Sequence, residues 1–160
     1  MGGLGADAMS GGTGNDLYFV DNAGDTIDGG AGNDTITGGT GNDLLTGGSG
    51  ADTFVVLAES VYSSKAPAGR VLEIDFVFDL IKAQGDKIDL SGVDADIATA
   101  GDQAFHLVTA FDKHAGQMTL VYSATANQTV LSLDVDGDGR ADYFMKITGD
   151  VHLDSGGWVL

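Results

Sequence analysis

The chain has 160 residues, a formal net charge of -17 and no cysteine. This length fits one domain, or two small domains that share an interface. The excess of acidic residues argues against nucleic acid or an anionic membrane as a partner. The absence of cysteine excludes disulfides, zinc ribbons, thiol catalysis and haem attachment. No apolar run reaches transmembrane length, so we expect no membrane span.

Residues 2–55 divide into six consecutive nine-residue units without an insertion or a deletion: GGLGADAMS, GGTGNDLYF, VDNAGDTID, GGAGNDTIT, GGTGNDLLT and GGSGADTFV. The sixth place of every unit is an aspartate, namely Asp7, Asp16, Asp25, Asp34, Asp43 and Asp52. The eighth place is large and apolar or aromatic, namely Met9, Tyr18, Ile27, Ile36, Leu45 and Phe54. This G-G-x-G-x-D-x-U-x pattern is typical of calcium-binding β-helices.

Each unit predicts one tight turn followed by one very short strand. Glycines at the first, second and fourth places permit positive φ and close backbone approach, and only x-U-x remains for the strand. Two units then form one coil of a parallel β-roll, a β-helix that the repeat predicts to be right-handed, in which residues i and i+18 lie about 4.8 Å apart. The eighth-place side chains fill the interior in two columns: Met9, Ile27 and Leu45 in one, and Tyr18, Ile36 and Phe54 in the other.

The same stacking places the aspartates along two edges, and residues 2–55 contain no Lys, Arg or Glu to neutralise them. Two carboxylates at this spacing repel by about 1 kcal/mol in water and by several times more near a protein. A hard cation that binds oxygen with a flexible coordination number, Ca²⁺ before Mg²⁺ and well before zinc, relieves the repulsion. The predicted pairs are Asp7/Asp25, Asp25/Asp43, Asp16/Asp34 and Asp34/Asp52.

Alternatively, glycine and aspartate are only turn formers, an interpretation that six units in register disfavour. The third unit departs most from the pattern, because Val20, Asp21 and Ala23 replace glycines and Gly24 comes one place late. The sites that use Asp25 are therefore the least regular.

The repeats resemble the RTX (haemolysin-type) calcium-binding repeats, which implies a parallel β-roll. In that family, turn carbonyls complete each calcium site. The resemblance implies that the carbonyl ligands are Gly11, Thr13, Gly30 and Gly32 for one pair, Gly29, Ala31, Gly48 and Gly50 for the next, and Gly39 and Gly41 in the fifth unit.

After the repeats, the chain predicts an antiparallel β-rich cap. We place the roll at residues 1–57 and the cap at 58–160. Residues 59–70 lack a clear period and are predicted as a loop, and residues 71–81 are predicted as a buried strand. Gly85-Asp86 marks a turn. Further strands are predicted at residues 104–108, 117–123, 129–134 and 142–148, with a short helix at 94–101.

Two segments, Asp75 to Leu80 and GDKIDLSGVDA at residues 85–95, resemble the end of the β-roll in serralysin-type secreted metalloproteases. The resemblance implies that Glu59, Asp75 and Asp79 are further calcium ligands. An acidic turn and a solvated strand face are the alternative interpretations.

The DVDGDGRAD stretch at residues 134–142 matches the first half of an EF-hand loop through Asp134, Asp136 and Asp138. The match fails at the twelfth place, which is Met145 in place of glutamate. Calcium binding here and an acidic hairpin tip both remain open.

No catalytic motif is present. His106, His114 and His152 do not form H-E-x-x-H and are predicted to be structural, and there is no G-x-S-x-G. The start of the chain lacks the features of a signal peptide, and the repeats begin directly after Met1. We therefore expect the C-terminal part of a longer protein.

The last residues, acidic and then apolar, resemble the uncleaved C-terminal signal of type I secretion, while an ordinary last strand is the alternative. We expect a monomeric, non-catalytic, calcium-binding folding and secretion module of an extracellular protein, and a metalloprotease is the favoured parent. The alternatives are a structural or adhesive RTX spacer, or the repeat module of a polysaccharide-modifying enzyme such as an alginate epimerase.

Overall fold

The computed structural model describes residues 4–20, 24–62, 73–151 and 157–160. These residues form thirteen strands, one short α-helix and one 3₁₀ helix. The strands are β1 (Ala8–Ser10), β2 (Leu17–Phe19), β3 (Thr26–Ala31), β4 (Thr35–Thr37), β5 (Leu44–Ser49), β6 (Thr53–Val55), β7 (Ile74–Val77), β8 (Lys87–Asp89), β9 (His106–Leu107), β10 (Gln117–Ser123), β11 (Gln128–Asp134), β12 (Tyr143–Thr148) and β13 (Trp158–Val159). The helices are α1 (Ala58–Tyr62) and the 3₁₀ helix Lys82–Gln84.

The repeats form a parallel roll with the predicted offset of eighteen residues. Strands β1, β3 and β5 pair in one sheet, and β2, β4 and β6 pair in the other. Ile27 pairs with Leu45 in the first sheet, and Ile36 pairs with Phe54 in the second. All four of these side chains are buried, because they face the narrow interior between the two sheets. The predicted register and the predicted all-β roll are confirmed.

Both sheets continue beyond the last repeat. Val77 of β7 pairs with Leu45, and Ile88 of β8 pairs with Phe54, so these two residues extend the two interior columns. Strand β13 then adds to β8 in parallel, with Trp158 opposite Ile88. The five-stranded sheet therefore has the order β13-β8-β6-β4-β2.

The first sheet, which contains β1, β3 and β5, joins the roll to an antiparallel layer, as the sequence predicts. Strand β12 pairs in parallel with β7, and the sheet continues through antiparallel β11 and β10 to β9, which pairs in parallel with β10. Its order is β1-β3-β5-β7-β12-β11-β10-β9. The largest fully buried side chains of this layer are Met118, Leu131, Leu133, Tyr143, Met145 and Ile147. One hydrophobic core thus runs from the repeats into the antiparallel layer.

Three local predictions are wrong in part. Residues 94–101 form turns, because the carboxylate of Asp96 accepts hydrogen bonds from the Ala98 N–H and the Thr99 hydroxyl, which competes with a helix. The predicted loop at 59–70 begins as helix α1, which buries Val61 and whose Ser60 hydroxyl donates to the Gly39 carbonyl.

Within the described residues 73–81, the predicted strand is limited to β7, which ends at Val77, and the 3₁₀ helix begins at Lys82. Residues 63–72 of these two predictions, together with Asp21, Ala23 and His152, lie outside the described residues. Within the described part of the chain, no helix has both the length and the apolar character that crossing a bilayer requires.

Candidate metal centre

The sixth-place aspartates form two ladders, one along each edge of the roll. In each ladder, Oδ1 of one aspartate accepts the backbone N–H of the aspartate eighteen residues earlier. The N···O distances are 2.7 Å for Asp7 to Asp25, 2.8 Å for Asp16 to Asp34, 2.8 Å for Asp25 to Asp43 and 2.9 Å for Asp34 to Asp52. The structure therefore brings together all four predicted pairs.

Asp75 and Asp86 continue the ladders after the repeats. Asp75 Oδ1 accepts the Asp43 N–H, and Asp86 Oδ1 accepts the Asp52 N–H, both at 3.0 Å. Their second oxygens also have protein donors, since Asp75 Oδ2 accepts the Tyr143 hydroxyl at 2.6 Å and Asp86 Oδ2 accepts the Ile81 N–H at 2.8 Å. The sequence analysis missed Asp86. The available signal was D-x-U-x, which both aspartates share with the repeats.

Four ladder carboxylates have a buried second oxygen that is unsatisfied. Oδ2 of Asp16, Asp34, Asp43 and Asp52 has no hydrogen-bond partner within the described part of the chain. A buried carboxylate oxygen without a donor or a counter-ion is strongly unfavourable. These atoms are therefore the expected positions for contact with a cation.

First-place glycines keep the space around these oxygens open. A methyl group on the Cα of Gly29 would lie 2.5 Å from Asp34 Oδ2 and 2.6 Å from the carbonyl oxygen of Gly47 in the next coil. A methyl group on Gly47 would likewise lie 2.5 Å from Asp52 Oδ2. Carboxylate and carbonyl oxygens border the same space, and Ca²⁺ prefers this kind of ligand. The residues present fit the predicted ion.

The predicted carbonyl ligands lie in the last residues of β3 and β5 and in the turns between strands. Gly30 of one coil pairs with Gly48 of the next, at φ values of 98° and 99° that favour glycine. The Ala31 carbonyl accepts the Gly14 N–H at 2.7 Å, and one of its two lone pairs stays available. The donors predicted from the resemblance are Gly11, Thr13, Gly29, Gly30, Ala31, Gly32, Gly39, Gly41, Gly48 and Gly50, and their role as ligands stays a prediction.

Fifth-place asparagines also bond from coil to coil, in addition to the two aspartate ladders, and these bonds were not predicted. Oδ1 of Asn15 accepts the Asn33 N–H at 2.8 Å, and Oδ1 of Asn33 accepts the Ala51 N–H at 2.9 Å. Oδ1 of Asn42 accepts the Ile74 N–H at 2.7 Å. Asparagines thus bond to the following coil and aspartates to the preceding one. The recurrence of asparagine at the fifth place was the available signal.

Burial shifts the titration of the innermost carboxylates. It raises the pKa of Asp43 to about 7, and the neighbouring charges of Asp75 and Asp25 act in the same direction. Burial likewise raises the pKa of Asp75 to about 6 and raises the pKa of Asp52. In the folded chain without a cation, these groups therefore hold protons more tightly than exposed aspartates do.

Asp79 lies against the last glycine pair of the repeats. Its two oxygens accept the N–H groups of Gly47 and Gly48, each at 2.8 Å. Glu59 is exposed on α1. Asp79 thus fixes the backbone near the end of β5, and a role of Asp79 or Glu59 as a calcium ligand stays a prediction.

The loop between β11 and β12 is closed by its own carboxylates. The two oxygens of Asp134 accept the N–H groups of Gly137 and Gly139 at 2.8 and 2.9 Å. Carboxylate oxygens of Asp134, Asp136 and Asp138 lie within 4.8 Å of one another, and only Asp134 is buried. These hydrogen bonds are those of an acidic hairpin tip, so calcium binding here also stays a prediction.

The roll with its two aspartate ladders defines a class of fold built from nonapeptide repeats, and comparison with known proteins identifies the family. The profile of the family described as Peptidase M10 serralysin C terminal matches residues 1–156. The chain belongs to this family.

Among curated proteins, metallopeptidase AprA of Pseudomonas marginalis is 46% identical over 139 residues, which is 87% of this chain and 26% of that protein. The chain therefore spans about a quarter of the length of this relative.

Solved structures show the same fold. The AlgE6R2 subunit of the Azotobacter vinelandii mannuronan C5-epimerase aligns with a TM-score of 0.57 at 23% identity, covering 91% of this chain and 84% of that chain. The AlgE6R3 subunit of the same epimerase aligns with a TM-score of 0.52 at 27% identity, covering 87% of this chain and 72% of that chain.

Proposed function

We propose that the chain is a calcium-dependent, non-catalytic folding and secretion domain of an extracellular metalloprotease. The observation that carries the proposal is the set of four buried Oδ2 atoms, on Asp16, Asp34, Asp43 and Asp52, that lack a hydrogen-bond partner among the described residues. Six stacked carboxylates without a basic side chain in residues 2–55 require positive charge from outside the repeats.

The ladder carboxylates and the turn carbonyls beside them would hold the ions. Ca²⁺ supplies charge neutralisation and links consecutive coils through shared oxygen ligands. The carboxylate ligands would be Asp7, Asp16, Asp25, Asp34, Asp43 and Asp52. The chain itself contributes fixed ligand positions. Oδ1 of each of four aspartates accepts a backbone N–H, and this bond orients the second oxygen of the same carboxylate; the four are Asp25, Asp34, Asp43 and Asp52.

Without cations, the repeats have little to stabilise them. Each unit orders nine residues but buries one large side chain, so the burial does not offset the loss of backbone entropy. Repulsion along the ladders adds to the deficit. Metal binding and folding therefore become one equilibrium.

This equilibrium suits export. Extracellular calcium modules bind with Kd values of about 10⁻⁴ to 10⁻³ M, so the roll stays unfolded at cytoplasmic calcium concentrations and folds outside the cell. We propose that the type I secretion machinery recognises the C-terminus of the unfolded chain. In the folded chain, Trp158 and Val159 of that terminus are part of β13. Folding therefore incorporates this segment into a sheet.

The AprA similarity supports a metalloprotease as the parent protein. The family profile describes the C-terminal part of such enzymes, which supports a non-catalytic role. The net charge of -17 disfavours a surface for acidic polysaccharides. Reproducible turnover of a peptide, an ester or a glycan by the purified chain would refute the non-catalytic role.

Far-UV circular dichroism during a calcium titration tests the calcium role. We expect a largely disordered spectrum in chelator and a cooperative gain of β-sheet signal in millimolar calcium. Magnesium at the same concentration is the control and should be much less effective, because it requires near-octahedral geometry and loses its water reluctantly. A full β-sheet spectrum in chelator that calcium leaves unchanged would contradict the proposal.

A further inference from the structure

Two histidines outside the aspartate ladders line one cavity. His106 lies in β9, and His114 lies in the loop that precedes β10. The cavity measures about 240 Å³ and is lined by these two residues together with Val108, Ala115 and Gln117. The sequence separation of the histidines hides this proximity, which arises because β9 pairs with the start of β10.

Both imidazole rings are held through Nδ1. His106 Nδ1 lies 3.0 Å from the Gly116 carbonyl oxygen, and since a carbonyl only accepts, Nδ1 carries the proton. His114 Nδ1 lies 2.8 Å from Asp112 Oδ1, which favours the same tautomer. Each neutral ring therefore has its lone pair on Nε2. Neither Nε2 atom has a hydrogen-bond partner among the residues that the structure describes.

One buried residue connects the two histidines. Gln117 is 6% exposed and lies directly opposite His106 in the β9–β10 register. Its side-chain amide donates to the Asp112 carboxylate, and its Oε1 accepts the Asp112 N–H at 2.9 Å. The Asp112 carboxylate that orients His114 is thus itself fixed. Gly116 supports His106 in the same way, since its carbonyl also accepts the His106 N–H at 2.8 Å.

An imidazole that donates Nδ1–H to a carbonyl or a carboxylate and presents Nε2 is the arrangement found in histidine metal ligands. We propose that His106 and His114 bind one borderline divalent transition-metal ion, of the Zn²⁺ class, through their Nε2 atoms, with water completing the coordination. Imidazole nitrogen suits such ions, whereas the oxygen ligands of the ladders suit Ca²⁺. The chain would then hold two chemically separate kinds of metal site.

Isothermal titration calorimetry with zinc chloride tests this site, using the full chain in saturating calcium so that the carboxylate sites are occupied. We expect one zinc ion per chain. His106→Gln and His114→Gln should each weaken binding by at least tenfold. Asp112→Asn should weaken it by about tenfold, because removing an outer-shell partner lowers metal affinity about 10- to 100-fold. His152→Gln is the matched control and should leave zinc affinity unchanged.

The imidazole nitrogen resonances of the unmodified chain provide a readout that needs no substitution. Zinc should shift the Nε2 resonances of His106 and His114 and leave their Nδ1 protons in place. Absence of zinc binding, unchanged affinity after both substitutions, or loss of binding in His152→Gln alone would each overturn the proposal. None of these results would affect the calcium titration, so the two proposals fail separately.

Discussion

Asp34 has a ladder neighbour on each side, whereas Asp16 on the same edge has a ladder neighbour only in Asp34. Oδ1 of Asp34 accepts the Asp16 N–H, and its own N–H donates to Asp52. Asp34→Asn preserves the side-chain shape and the acceptor Oδ1 but removes the charge. In the proposed scheme, Asp34 contributes to two ions and Asp16 to one. Asp34→Asn should therefore lower stability in calcium more than Asp16→Asn does. In chelator, where no ion is lost, the effect of Asp34→Asn should be different.

The magnitudes follow from linkage. A ligand at about 100 times its Kd stabilises the folded state by about 2.7 kcal/mol per site. Loss of two sites in Asp34→Asn should lower the unfolding free energy in excess calcium by about 5 kcal/mol, and loss of one site in Asp16→Asn by about half of this. In chelator, removal of the Asp34 charge should favour the folded state by about 1 to 3 kcal/mol per neighbouring carboxylate. The sign of the effect thus reverses between the two conditions.

Urea unfolding in calcium measures the first effect, the far-UV β-sheet signal that remains in chelator gives the sign of the second, and calorimetry counts the ions lost. Equal losses for Asp16→Asn and Asp34→Asn in calcium would contradict the shared use of Asp34 by two sites. A β-sheet signal in chelator that is smaller in Asp34→Asn than in the unmodified chain would contradict the assignment of the effect to the carboxylate charge.

Three further predictions concern space, hydrogen bonding and protonation. Gly29→Ala should abolish most of the calcium-induced β-sheet signal, because its methyl group would occupy the space between a ladder carboxylate and a carbonyl, whereas Gly92→Ala, whose methyl group would have its nearest neighbour at 3.9 Å, should not. Tyr143→Phe should lower the unfolding free energy in calcium by about 1 to 3 kcal/mol, because it removes the donor to a buried carboxylate, and the exposed Tyr122→Phe should change it by less than about 0.5 kcal/mol. Burial raises the folded-state pKa of Asp43 from 3.8 to about 7, so between these pH values the folded chain holds a proton that the unfolded chain releases, and stability in chelator falls as pH rises. The β-sheet signal in chelator should therefore be larger at pH 5 than at pH 8, and the opposite order would contradict this reasoning.

The periodic positions could be predicted because an eighteen-residue period leaves one possible register. Ile27 and Leu45 must face the interior together, since a slip of one residue would turn every buried side chain of the strand to solvent. The period ends at Val55, and so does its predictive power. Val77 and Ile88 occupy the next places of the two columns, but they follow their partners by 32 and 34 residues (77 − 45 and 88 − 54).

Two of the contacts that the sequence did not predict involve residues that are also common in turns. Gly85-Asp86 reads as a turn, and the structure shows that Asp86 also continues an aspartate ladder. Asparagine at the fifth place reads as a turn former, yet Asn33 bonds to the next coil. The position of His106 and His114 around one cavity could not be predicted, because it depends on the register between β9 and β10.

The two oxygens of a ladder aspartate have different surroundings, and this links coil stacking to the proposed cation binding. In Asp34, Oδ1 ties one coil to the previous one, while Oδ2 faces the space that Gly29 keeps open. The two neighbouring glycines also have different roles. Gly30 adopts a positive φ of 98°, and Gly29 leaves open the space beside Asp34 Oδ2. A nine-residue unit therefore specifies its backbone turn and its proposed ligand shell with the same few residues. For this reason, folding of the repeats should respond to calcium as a cooperative unit.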